Sequence, residues 1–98
     1  MTYIIIISPK VEDELEEISK FIANDNITRA ISFIDELLDS VENRLTEFPK
    51  IGKLYKFNQR MIVFKNYIIF YGIDEKNKSV KISHILNSAK YSAYKHLV

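Results

Sequence analysis

Apolar and polar residues in the first quarter of the chain follow a pattern that predicts a strand and then a helix. The apolar, mostly β-branched run from Tyr3 to Ile7 is typical of a buried strand. Ser8 can cap a helix, and Pro9 suits the first turn of one. The apolar residues that follow recur at helical spacing, namely Val11, Leu15, Ile18 and Ile22. A first helix is therefore expected near residues 9–25.

A second helix is predicted near residues 28–47, with Thr28 as its capping residue. Its apolar stripe consists of Ala30, Ile34, Leu37, Val41 and Leu45, widened by Phe33, Leu38 and Phe48. Pro49 should end the helix, and Gly52 should complete a turn. Because the link between the two helices is short, they should form an antiparallel hairpin.

The second half of the chain reads as a series of short strands separated by turns. The predicted strands are Leu54 to Phe57, Arg60 to Phe64, Tyr67 to Ile73 and Val80 to Leu86. Lys65-Asn66 is a predicted tight turn, and residues 74–78 a polar hairpin loop. On the last strand, Val80, Ile82, His84 and Leu86 are expected to share one face. Residues 87–98 form a tail with room for one short helix.

The order of elements, β-α-α-β-β-β-β-tail, predicts a single α+β domain over residues 1–98. In this fold an N-terminal strand precedes a helical hairpin, which packs on an antiparallel sheet of about four strands. The length of 98 residues suits one small domain. No run approaches the roughly 18 apolar residues needed to span a bilayer, and no cysteine is present. We therefore expect a cytoplasmic protein without disulfides.

Charge is distributed unevenly although the net charge is only +1. Residues 1–49 hold four basic and eleven acidic residues, a net charge of −7, whereas residues 50–98 hold ten basic and two acidic residues, a net charge of +8. One interpretation is that the second half binds an anionic partner. The other is that the two halves attract each other within one fold.

The sequence offers little chemistry of the kind that depends on metals or cofactors. His84 and His96 are far apart, and neither has Asp, Glu or His at ligand spacing. The only glycines are Gly52 and Gly72, so a glycine-rich phosphate loop is absent. No cofactor and no metal site are therefore predicted.

Basic and aromatic residues of the second half remain as candidate site residues. They are Lys53, Lys56, Arg60, Lys65, Lys81, His84, Lys90, Tyr91, Tyr94 and Lys95. Lysine and arginine could contact phosphates, and tyrosine could stack on a base. In a metal-free ribonuclease, His84 or Tyr91 could transfer protons, while Arg60, Lys65 or Lys90 stabilised charge. The alternative is structural, because a lone strand histidine is usually held by its neighbours and strand lysines usually face solvent.

Several strings, taken in order, resemble the RelE/ParE superfamily of toxins from type II toxin–antitoxin systems. The matching strings are Ser8-Pro9, Leu15-Glu16-Glu17-Ile18, Phe21-Ile22, Ala30 with Phe33-Ile34-Asp35-Glu36-Leu37, Phe48-Pro49-Lys50-Ile51-Gly52-Lys53, Arg60, Tyr67-Ile68-Ile69-Phe70-Tyr71 and Val80 to Leu86. The resemblance covers almost the whole chain. It implies a toxin neutralised by a cognate antitoxin, with any contact to DNA made only through that antitoxin.

Two activities are known in this superfamily, and the resemblance is closer to the ParE branch. ParE-like members inhibit DNA gyrase by binding and are associated with plasmid stabilisation, whereas RelE-like members cleave mRNA on the ribosome. Here Asn87-Ser88-Ala89-Lys90 stands where the family usually has His-x-x-Arg, and Lys65 stands where ribonuclease members often carry arginine. Lysine lacks the bidentate grip of arginine on phosphate. These departures weaken the ribonuclease interpretation, and the long helical hairpin and the turn at residues 48–52 resemble the ParE branch more closely.

The resemblance implies two alternative sets of site residues. For partner binding, they are Arg60, Lys81, Lys90, Tyr91, Tyr94 and Lys95. For the ribonuclease alternative, acting on the ribosome and its mRNA, the catalytic residues would be Lys65, His84, Lys90 and Tyr91. A third hypothesis is a degenerate toxin that only binds its antitoxin.

Overall fold

The computed structural model describes residues 2–89 and confirms the predicted order of elements. The helices and strands are β1 (Ile4–Ile7), α1 (Pro9–Ala23), α2 (Ile27–Leu45), β2 (Lys53–Leu54), β3 (Gln59–Phe64), β4 (Tyr67–Asp74) and β5 (Ser79–Asn87). Two short 3-10 turns, Pro49–Ile51 and Lys56–Asn58, flank β2. The two helices follow each other directly and pack together as the predicted hairpin.

The strands form one mixed five-stranded sheet in the order β1-β5-β4-β3-β2. The last four strands pair antiparallel with their neighbours, which confirms the predicted antiparallel sheet of about four strands. β1 joins the edge of this sheet in parallel with β5, with Ile4 opposite Ser79 and Ile7 opposite Ile82. Two parallel strands cannot be joined by a tight turn and need a long connection. Between β1 and β5, this connection begins with the helical hairpin.

The core lies between the helical hairpin and one face of the sheet. Its fully buried members, all exposed by less than 2%, are Tyr71, Leu37, Leu45, Ile69, Ile82, Val11, Val41 and Val80. The predicted helical stripes account for most of the helix contribution, as the spacing requires. Phe48 is a correction, because it was expected to widen the stripe of α2 and is instead 62% exposed, beyond the end of the helix.

The helix starts combine one confirmed prediction with one wrong one. Ser8 caps α1, and its hydroxyl accepts a hydrogen bond from the backbone N–H of Val11. Thr28 does not cap α2, which begins one residue earlier behind Asn26. The side-chain oxygen of Asn26 accepts a hydrogen bond from the N–H of Arg29 at 2.9 Å. Asparagine is at least as favourable as threonine at this position.

Two strand predictions also need correction. Residues 54–57 were expected to form a strand, but β2 ends at Leu54 because Phe57 and Asn58 take left-handed backbone angles, with φ of 57° and 62°. On β5 the expected alternation breaks after Ile82, since Tyr71 pairs with Ile82 and the next residue pair is Phe70 with His84. This bulge brings Ile85, rather than His84 or Leu86, into the core at 4% exposure.

Candidate functional site

Tyr71 fixes the turn that precedes β2. Its hydroxyl donates a hydrogen bond to the carbonyl of Pro49 at 2.7 Å and accepts one from the N–H of Gly52 at 2.9 Å. Burial raises the pKa of the Tyr71 hydroxyl, so it remains a donor at neutral pH. A side chain at position 52 would collide with this hydroxyl, because a Cβ there would lie 2.3 Å from it. Glycine is therefore required for the close approach.

Arg60, a predicted partner-binding residue, contributes to the same turn. Its guanidinium donates hydrogen bonds to the carbonyls of Gly52 at 2.8 Å and Lys50 at 3.2 Å. Arg60 therefore supports the turn, and some of its hydrogen-bond donors are already occupied. Lys81, the other described member of the predicted set, is exposed on β5. The strand order puts β4 between the two residues.

Lys65 occupies the predicted tight turn between β3 and β4, with a left-handed φ of 53°. Its ammonium group lies 3.6 Å from the carboxylate of Glu36 and close to the rings of Phe33 and Phe64, 5.8 and 5.6 Å from their centroids. Arg29 contacts the same carboxylate oxygen at 3.2 Å. The hydrogen bond from Arg29, together with the Lys65 charge, lowers the pKa of Glu36.

His84 lies at the rim of a cleft of about 590 Å³ between α1 and the ends of β4 and β5. Its Nδ1 atom contacts one oxygen of the Glu14 carboxylate, whose other oxygen accepts a hydrogen bond from the N–H of Ile85 at 2.9 Å. The ring of His84 also stacks on Phe70. The cleft is lined by Glu14, Glu17, Ile18, Phe21, Tyr67, His84, Ile85, Leu86, Asn87 and Ala89.

The Glu14 contact was not foreseen from the sequence. Glu14 belongs to an acidic cluster at the start of α1, which the helix dipole explains without any further role. Only tertiary structure brings it to residues 84 and 85, seventy positions later. The Nδ1 atom of His84 is buried and forms no hydrogen bond within residues 2–89, so Glu14 contacts the ring without a hydrogen bond that would fix it.

Of the four predicted catalytic residues, Lys65 and His84 lie within residues 2–89. Lys65 is held by α2 and His84 by α1. Lys90 and Tyr91, which belong to both predicted sets, and Tyr94 and Lys95, which belong to the partner-binding set, lie outside the described residues. Within residues 2–89, no group of three or more metal-binding side chains is found, and no helix there is long and apolar enough to cross a membrane.

Comparison with known proteins adds a family and a fold. A family model described as ParE toxin of type II toxin-antitoxin system, parDE, matches residues 5–90. A search of curated proteins gave no significant match.

Two solved structures resemble the chain. The toxin–antitoxin complex RelBE2 from Mycobacterium tuberculosis has a TM-score of 0.68 at 15% identity, covering 89% of this chain and 99% of that chain. A mutant of the E. coli toxin RelE in the free state has a TM-score of 0.66 at 16% identity, covering 97% of this chain and 93% of that chain. At such low identity, the likeness establishes the fold alone.

Proposed function

The chain belongs to the ParE family of toxins from type II toxin–antitoxin systems, and we propose on that premise that it inhibits DNA gyrase by binding. The observation that carries the proposal is the family match over residues 5–90, which covers both helices and all five strands apart from Ile4, the first residue of β1. A toxin of such a pair has a cognate antitoxin as its partner. Inhibition by binding requires a surface rather than an assembled catalytic centre.

The contacts of Lys65 support a binding mechanism. A nuclease needs a cation free to stabilise charge on the phosphate in the transition state. Lys65 is instead shared between the Glu36 carboxylate and two aromatic rings. Moving the ammonium group of Lys65 toward a substrate would break those contacts and leave Arg29 as the remaining cation beside Glu36. The surrounding charges thus favour a structural role for Lys65.

The proposed gyrase-binding surface lies in the basic second half of the chain. It includes Arg60, the exposed Lys81, and Lys90, Tyr91, Tyr94 and Lys95 beyond the described residues. The guanidinium of Arg60 also supports the turn at residues 50–52. Lysines there would guide association with an acidic region of the partner. Tyrosines would supply the apolar contact area that usually dominates binding energy.

One observation keeps the ribonuclease alternative as a second candidate. Glu14 contacts His84 at the rim of the cleft that also contains Tyr67, and a histidine beside a carboxylate is a common general base. In that case His84 would act with Lys65, Lys90 and Tyr91 on mRNA bound to the ribosome. Glu14 would then be the positioning residue for His84.

Single substitutions distinguish the two mechanisms. A nuclease that loses one essential cation or proton-transfer group should slow on the order of a hundredfold, whereas most single truncations in a binding surface cost less than about 1 kcal/mol. We expect Lys65→Ala and His84→Ala each to leave growth inhibition largely intact. Combined replacement of Lys90, Tyr91, Tyr94 and Lys95 by alanine should abolish it.

The control for these variants is binding to the co-expressed antitoxin, which reports that each protein is folded. If folded Lys65→Ala or His84→Ala toxin is harmless, and the wild type cuts mRNA on translating ribosomes, gyrase inhibition is the wrong function. A wild type that binds its antitoxin but neither stops growth nor cuts mRNA would instead be the degenerate toxin.

A further inference from the structure

Residues 48–58, here called the connecting segment, link α2 to β3 and expose a high proportion of apolar side chains. Four large apolar residues in this segment are mostly exposed: Phe48, Ile51, Leu54 and Phe57, at 62%, 57%, 62% and 92%. Isolated exposed apolar residues are ordinary, but four of them within one short segment are a feature often found at interaction sites. The connecting segment is therefore a candidate contact surface.

Phe57 has an exposure and a backbone conformation that packing within this chain does not explain. Its side chain is 92% exposed, and its backbone φ of 57° lies in the left-handed region. That region is unfavourable for a bulky residue, and glycine or asparagine is usual there. Burial of the ring does not offset this cost. Strained positions of this kind cluster at functional sites, so the conformation is best explained by what the ring contacts outside the chain.

Hydrogen bonds from residues of β3 and β4 hold the connecting segment in place. The Tyr71 hydroxyl bonds to Pro49 and Gly52, and Arg60 bonds to the carbonyls of residues 50 and 52. At the other end of β2, the N–H of Tyr55 donates to the carbonyl of Gln59 at 2.7 Å. A surface ordered before binding loses less conformational entropy when a partner arrives. These bonds thus prepare the segment for recognition.

The charge of the segment indicates an acidic partner. It contains three lysines, Lys50, Lys53 and Lys56, and no acidic residue. Lys50 lies 3.5 Å from the Glu75 carboxylate. Within residues 2–89, Lys53 and Lys56 form no ion pair. Carboxylates on a partner would complement both of them.

We propose that the connecting segment adds a second contact region to the surface through which this toxin binds its cellular target, a folded protein whose apolar pocket accepts Phe57 and whose carboxylates pair with Lys53 and Lys56. The inference rests on the proposed toxin function but not on the identity of the target. A projecting ring fits a pocket in a partner that is already folded. A peptide that folds on binding would fit a concave surface better, such as the cleft beside α1.

The apolar side chains favour a protein over a nucleic acid. Lysines and an exposed phenylalanine would also suit single-stranded nucleic acid, where bases stack on aromatic rings. Ile51 and Leu54 are also mostly exposed in the segment, and neither has a ring on which a base could stack. Aliphatic residues around an aromatic one match the apolar centre of a protein interface.

The test uses Phe57→Gly in the full-length toxin. Glycine removes the ring and suits the left-handed backbone, so the variant should melt near or above the wild-type temperature. Phe57→Asn is a second variant that also tolerates this conformation. We expect both to bind the antitoxin with unchanged affinity, to lose growth inhibition, and to bind purified gyrase at least about tenfold more weakly. The matched control is Ile27→Ala, which truncates a side chain exposed by 69% at the start of α2 and should remain toxic.

The outcomes separate this inference from the proposed function. If the wild type stops growth without inhibiting gyrase and the Phe57 variants do not stop growth, the gyrase proposal fails and the binding surface is supported. Folded Phe57 variants that remain as toxic as the wild type would overturn the inference. The inference would also be overturned if the Phe57 variants bound only the antitoxin more weakly. The same holds if they bound only a single-stranded RNA or DNA oligonucleotide more weakly. A wild type without toxicity would overturn it too, since it would have no target.

Discussion

Replacing Tyr71 by phenylalanine should destabilise the protein while preserving the volume of the buried ring. The side chain is 0% exposed, and its hydroxyl bonds to the carbonyl of Pro49 and the N–H of Gly52. Leaving buried backbone groups without a partner costs about 1–3 kcal/mol per group. Because two buried groups lose their partner, we expect a total loss of at least about 2 kcal/mol. For a domain of this size, that lowers the melting temperature by about 8–16 °C.

The assay is thermal and urea unfolding at neutral pH, followed by circular dichroism. Tyr67→Phe is the matched control, because Tyr67 is also buried but its hydroxyl forms no hydrogen bond with another residue in the 2–89 region. It should change the free energy of unfolding by less than about 0.5 kcal/mol. If Tyr71→Phe unfolds like the control, the hydroxyl does not hold the turn and this account of the segment is incorrect.

The same residue predicts a dependence of stability on alkaline pH. Burial raises the pKa of Tyr71 in the folded protein above the ordinary value of 10.0. The unfolded chain therefore ionises first, and the contribution of Tyr71 is complete below pH 10 and lost as the pH rises through the folded value. The difference in unfolding free energy between the wild type and Tyr71→Phe should shrink over that range.

Three further substitutions test other contacts. Gly52→Ala places a Cβ 2.9 Å from the backbone carbonyl of Met61 and closer still to the Tyr71 hydroxyl, so unfolding in urea should show a loss of about 1–3 kcal/mol. Asn26→Ala should cost about 0.5–2 kcal/mol by removing the cap of α2, and Thr28→Ala should cost clearly less; equal losses would contradict the assignment of the cap. Glu14→Ala leaves the N–H of Ile85 without its acceptor and should cost about 1–3 kcal/mol, whereas Glu17→Ala in the same cleft should be nearly neutral.

The elements that could be predicted from the sequence are those with a strong repeating pattern. The stripes of α1 and α2 follow helical spacing, and the runs that became β3, β4 and β5 lie between clear turn residues. Ser8-Pro9 and Lys65-Asn66 carry local signals for a cap and a turn. In these places local preference and tertiary packing favour the same structure.

The features that could not be predicted depend on contacts between distant residues. The bulge in β5, which buries Ile85 instead of His84, arises from pairing with β4 and leaves no mark on the alternation itself. The contact of Glu14 with residue 84 joins positions seventy residues apart. At Phe57, strand propensity gave the wrong prediction because the backbone there turns left-handed against the preference of the residue.

Gyrase inhibition by binding can be measured as the supercoiling activity of purified gyrase in the presence of purified toxin. Supercoiling should fall as toxin is added, the cognate antitoxin should restore it, and the same toxin should leave mRNA on translating ribosomes intact. Unchanged supercoiling at toxin concentrations that stop growth, together with cleavage of ribosome-bound mRNA, would contradict it.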